Sequence, residues 1–112
     1  MKTLTIEEMK EIIIKEIAQT NSGSLKRNSD IVYNLKSAKT EELTGTYKFE
    51  IETIYSNSFI ETCVFTITSY GLFLSVSGSA TYHLIETIKT CAGIAWNKIN
   101  EEYKKANKDG IQ

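Results

Sequence analysis

The sequence predicts an α+β fold of two layers, an antiparallel meander of three or four strands with the N- and C-terminal helices packed on one face (αβββα, or αββββα with an added strand). Three observations predict it. Between Thr46 and Ser77, three runs rich in β-branched and aromatic residues are separated by the turn-forming pieces Ser56-Asn57-Ser58 and Tyr70-Gly71. Apolar residues recur at helical spacing before and after that block. The two hairpins, registered independently, bury the same face of the central strand.

Thr5-x-x-Glu8 is a capping box that starts the first helix, and Leu4 can staple onto Met9 across it. Ile6, Met9, Ile13 and Ile17 follow at helical spacing, with Ile12 and Ile14 widening the stripe and Glu11 placed four residues before Lys15. The helix is expected to run to about Gln19, because Thr20 to Ser24 is turn chemistry. From Leu25 to Gly45 two readings compete. Ile31 to Leu35 reads as a short strand on one edge of the sheet, the reading favoured here, or as a helix capped by Asp30. Thr40 to Leu43 reads as a turn or a single helical coil.

In the meander, a three-residue loop at Ser56 to Ser58 pairs Tyr55 with Phe59, and hence Ile51 with Cys63, Phe49 with Phe65 and Tyr47 with Ile67. A two-residue turn at Tyr70-Gly71 pairs Ser69 with Leu72, and hence Ile67 with Leu74 and Phe65 with Val76. Side chains alternate along a strand, so both registers place Tyr47, Phe49, Ile51, Cys63, Phe65, Ile67, Leu74 and Val76 on one face, the core. The reverse face carries lysine, glutamate, threonine and serine, with Ile54, Ile60, Val64 and Phe73 among them. The last helix is expected to begin after Gly78-Ser79 and to reach about Asn107. Leu84, Ile85, Ile88, Cys91, Ala92, Ala95, Trp96, Ile99, Tyr103 and Ala106 share a sector of about 140°. At about 40 Å such a helix is longer than the strands it covers, so its last turns should overrun the sheet.

Residues 1–112 read as a single α+β domain, long enough to bury a core without staples. With 13 basic and 14 acidic residues, no overall field draws the chain to nucleic acid or an anionic membrane. Acids in Met1 to Glu8 break the apolar run that a secretory signal needs, and no stretch approaches a membrane span. The expected location is therefore the cytoplasm, where Cys63 and Cys91 stay reduced. The chain has no proline, which removes one common guard of edge strands.

Candidates for chemistry are few. His83, the one histidine, falls outside the apolar sector of its helix and is expected to be solvated. Cys63 and Cys91 belong to buried rows and read as structural thiols, with no histidine at ligand spacing to make a metal site. Glu61 stands opposite Thr53 near a strand end, where a carboxylate reaches water at the rim. No serine-histidine-aspartate set, phosphate loop or zinc motif accompanies them, so neither an enzyme, a cofactor site nor a small-molecule substrate is expected.

The order of helix, three strands and helix, with Phe65 and Ile67 as strand apolars and Gly78-Ser79 opening the last helix, resembles the double-stranded RNA-binding domain. That family grips phosphates with a Lys-Lys-x-Ala-Lys run at the start of its last helix. Here Ser79-Ala80-Thr81-Tyr82-His83-Leu84 occupies the place and holds no lysine, so the resemblance implies topology rather than function. In size and in its lack of motifs the chain also resembles small inhibitors and immunity factors carried by phages and plasmids. The function expected is a non-catalytic domain that binds a protein partner or itself as a homodimer, through Ile54, Ile60, Val64, Phe73, Ile94, Trp96 and Tyr103. The alternative is a nucleic-acid-binding module using Lys26, Arg27, Lys36 and Lys39.

Overall fold

Thr5 and Glu8 exchange the two hydrogen bonds of the capping box, Thr5 N–H to Glu8 Oε1 at 2.9 Å and Glu8 N–H to Thr5 Oγ1 at 3.1 Å. The staple closes with them, since Leu4 and Met9 are both buried. The computed structural model describes residues 3–22 and 31–110, with side-chain surroundings for 3–21 and 31–101. Its elements are α1 (Ile6–Ser22), β1 (Ile31–Glu41), β2 (Thr46–Tyr55), β3 (Ile60–Thr68), β4 (Phe73–Gly78) and α2 (Tyr82–Gly110). The strands form one antiparallel sheet in the order β1-β2-β3-β4. The αββββα form is thus the one adopted, with the stretch around Ile31 to Leu35 a strand and not a helix.

That strand is longer than its apolar pattern suggests and continues to Glu41, through residues expected to turn. Lys36 is skipped in the register, so that Leu35 pairs with Ile51 but Ser37 pairs with Glu50. The bulge lets Leu35 and Ala38, three positions apart, both pack against the core. A strict alternation over Ile31 to Leu35 ends there, which is why the pattern was legible for only half the strand.

Between β2 and β3 the expected register holds throughout, including Phe49 with Phe65 and Tyr47 with Ile67. At the next hairpin it is displaced and then restored. Thr68 N–H donates to Leu72 O at 2.9 Å, so the loop has three residues, Ser69 to Gly71, where two were expected. Ile67 consequently pairs with Phe73, and a bulge at Leu74 returns Thr66 to Ser75 and Phe65 to Val76. Two shifts of one residue cancel at Phe65, but between them Phe73 and Leu74 have exchanged places. Phe73 packs on the core side, 5.9 Å from the Phe65 ring, while Leu74 is 48% exposed. The placement of Phe73 on the reverse face is therefore corrected.

Both helices lie on the face that carries Phe49, Ile51, Phe65 and Ile67, all fully buried. α1 lies beside β1 and runs antiparallel to α2, joined to it by Thr20 with Thr87 and by Glu8 with Lys98. α2 starts later than expected because Thr81, not Gly78-Ser79, caps it: Leu84 N–H donates to Thr81 Oγ1 at 3.1 Å. The buried side of α2 is Leu84, Ile88, Cys91, Ala92, Ala95 and Ile99. Ile85 is only half-buried and Trp96 is 41% exposed, so the apolar stripe is wider than the side the helix buries. No helix among the described residues is long and apolar enough to cross a membrane.

The contact that seats α2 is at Gly71. Its φ is +88°, and a Cβ there would lie 2.7 Å from the backbone nitrogen of Trp96 and 2.9 Å from the carbonyl oxygen of Ala92. Gly71→Ala is accordingly expected to lower stability by at least about 2 kcal/mol, measured by denaturant unfolding, from left-handed strain plus displacement of the helix. Thr53 gives a change of the opposite sign. It is wholly buried and its hydroxyl has no hydrogen-bond partner. Thr53→Val, which keeps the branched shape and removes the orphaned group, should raise stability by about 1 kcal/mol in the same assay.

Candidate functional site

The residues expected to bind a partner do not form one surface. Ile54 and Ile60 pair across β2 and β3 on the reverse face, and Val32 pairs with Ile54 from β1, which makes one apolar row across three strands. Val64 stands two rungs away opposite Glu50 and is half-buried. Apart from Leu74 on β4, the remainder of this face is largely polar, and several of its side chains bond to one another. Asn34 donates to Glu52 at 3.1 Å, Ser37 donates to Glu50 at 3.3 Å, and Lys39 and Lys48 both approach Glu41. Such a surface is satisfied by water and by its own cross-strand pairs.

Trp96 belongs elsewhere. Thr87 and Lys98 meet α1, and at 100° per residue Ile85, Lys89, Gly93 and Trp96 fall on the opposite flank, toward the outer edge of β4. Two contacts fix that direction: the Trp96 ring stands edge-on to Tyr70 at 6.4 Å, and Lys89 Nζ lies 5.9 Å from the centre of the Phe73 ring. Leu72 and Leu74, both about half exposed, lie on the reverse side of the same strand edge, completing a strip in which α2 walls the edge on one side and two aliphatic side chains border it on the other. Phe73 thus contributes to this strip from the core side and not as an anchor on the reverse face. Leu72 and Leu74 escaped the sequence reading because the compensating loop and bulge leave no mark in the hydrophobic alternation. Ile94, on the outward side of α2, touches neither surface, and the side chain of Tyr103 lies outside the described residues.

The opposite edge is built differently. Asn21, in the last turn of α1, turns its amide onto β1: Tyr33 N–H donates to Asn21 Oδ1 at 3.0 Å and Asn21 Nδ2 donates to Tyr33 O at 2.9 Å. A side chain thereby occupies the place of a neighbouring strand. Lys36 at the bulge adds a second obstacle to pairing. Among the described residues, nothing outside β3 bonds to the backbone of Phe73 to Gly78.

For the nucleic-acid alternative, Lys26 and Arg27 lie outside the described residues. Lys36 is exposed at the β1 bulge, whereas Lys39 is 3.7 Å from Glu41, which offsets its charge. His83 is exposed, 6.3 Å from the Tyr33 ring, whose hydroxyl is 2.8 Å from Thr81 Oγ1. Glu61 accepts a hydrogen bond from Tyr55 at 3.2 Å, and burial followed by the Glu61 charge pushes the Tyr55 phenol above its usual pKa. No three metal-ligating side chains converge among the described residues.

Cys63 and Cys91 are both buried free thiols. Burial raises the Cys63 thiol to about 11, and burial together with the Glu16 charge raises Cys91 to about 12. Both exceed the ordinary value of 9.0, so the fold favours the protonated forms. That contribution is complete below pH 9, declines as pH rises toward 11 and 12, and is lost above. The expected outcome is slow reaction of the native protein with a disulfide reagent at neutral pH, two equivalents after unfolding, and a stability that falls on the alkaline side. Rapid native labelling would contradict the burial.

Comparison of the chain with protein-family models, with curated proteins and with solved structures returns no match.

Proposed function

We propose that the chain is a small non-catalytic protein-binding domain, working through the strip between the outer edge of β4 and the flank of α2. The observation that carries this reading is the position of Trp96. It is 41% exposed on the helix flank that borders the unpaired edge of β4, and its ring stands edge-on to Tyr70 at 6.4 Å. An exposed aromatic is the residue type that anchors interface hot spots, and the open strand edge beside it supplies the directional hydrogen bonds. Blocking another protein, as an inhibitor or immunity factor does, needs no more chemistry than this. The place of action we propose is the cytoplasm, a reducing compartment in which Cys63 and Cys91 would stay thiols.

The test is site-directed photocrosslinking in the producing cell, with a photoreactive amino acid in place of Trp96 and, as the comparison, of Ile60 on the reverse face. A discrete protein adduct is expected from position 96 and none from position 60. Adducts to nucleic acid from a probe at Lys36, with no protein adduct at 96, would replace this reading with the nucleic-acid one.

A further inference from the structure

We infer that the occupant of the β4 edge is β4 of a second copy of this chain, paired antiparallel about a two-fold axis to give one eight-stranded sheet. The inference rests on the reading of this strip as a protein-binding surface and names its partner.

The first support is the contrast between the two edges. β1 is closed to further pairing by the Asn21 amide and interrupted at Lys36, and it carries two lysines along its length. β4, Phe-Leu-Ser-Val-Ser-Gly, has no ionisable residue and no proline. Of the usual devices against edge pairing it keeps shortness, a bulge at Leu74 and the left-handed Gly78 at its end, which leave Val76 as the regular outward-facing residue between them.

The second support is the direction of the backbone groups. Ser79 N–H donates to Thr62 O at 3.1 Å, which makes that pair a hydrogen-bonded one. Bonded and non-bonded pairs alternate along an antiparallel ladder, so Ser77 turns its backbone groups toward β3 and Val76 turns its own outward. Two copies of Val76 across the axis can each donate an N–H to the other's carbonyl. Such a joint is self-complementary, as a two-fold interface requires.

The third support is charge. An antiparallel β4 pair brings no like charges together along the strands, since β4 has none. Pairing through β4 is in this respect unlike pairing through β1, where Lys36 and Lys39 of two copies would be brought to one edge.

Light scattering and sedimentation over a dilution series decide the matter. The wild type should approach twice its 12.6 kDa mass as concentration rises. Leu74→Lys, at an exposed position, should weaken association by at least about tenfold, as lysine does on natural edges, with the monomer's melting temperature unchanged. Without any variant, hydrogen exchange at the Val76 amide should slow with concentration while that of Tyr33 does not change. A wild type that stays monomeric at all concentrations overturns self-pairing. So does a dimer indifferent to Leu74→Lys with fast exchange at Val76. If position 96 still crosslinks to a foreign protein in either case, the protein-binding reading stands and only its occupant is wrong. If position 96 crosslinks to nothing, both fall.

Discussion

At Gly71 the sheet and the second helix touch backbone to backbone, with room for a hydrogen atom and not for a methyl group. Much of the molecule follows from that approach. It brings the β3–β4 turn under residues 92 to 96 of α2, and with Thr81 capping the other end it lays the first half of α2 along β4. The flank of the helix turned away from α1 is then committed to the sheet's outer edge, which is why Trp96 meets Tyr70 and Lys89 meets Phe73. The left-handed conformation that Gly71 supplies also closes the three-residue loop, and the loop sets up the exchange of Phe73 with Leu74. One residue thus governs helix placement, strand register and the character of the exposed strip.

The parts of the fold legible in the sequence were those written in local or short-period signals. The capping box at Thr5 and Glu8 and the β2–β3 register through Phe49 and Phe65 depend on spacing alone, and spacing survives in a single chain. The bulges at Lys36 and Leu74 do not, because an inserted residue shifts the apolar alternation without announcing where. At β4 two such shifts cancelled, so Phe65 and Val76 were paired correctly for a reason that misplaced Phe73. The candidate site inherited that error. Trp96 shares the apolar sector by its helical angle and was also expected at a partner surface, and its contact with Tyr70 shows that it sits at the margin of the layer beside the β3–β4 turn. Asn21 was read as a turn former, and its bond to Tyr33 spans an interval no propensity describes.

The sheet therefore has one covered face, one wet face and two unlike edges. On the wet face cross-strand pairs such as Ser37 with Glu50 satisfy polar side chains locally, and the apolar row of Val32, Ile54 and Ile60 is confined to one end. Burial of the thiols belongs to the covered face, where Cys63 and Cys91 serve as small apolar side chains. What distinguishes the β4 side is that apolar side chains and open backbone groups occur together there, and a surface that offers both discriminates more than either alone.

The Asn21 amide on β1 has a consequence for how the chain acquires its structure. A side chain from the last helical turn completes hydrogen bonds that a strand would otherwise seek from a neighbour, and only 12 residues separate Asn21 from Tyr33. Closing so short an interval costs little entropy, so the end of α1 can engage β1 before the distant partners of either have arrived. The first strand to leave the growing chain is in this way protected against strands of other chains while its own partner, β2, is still being made.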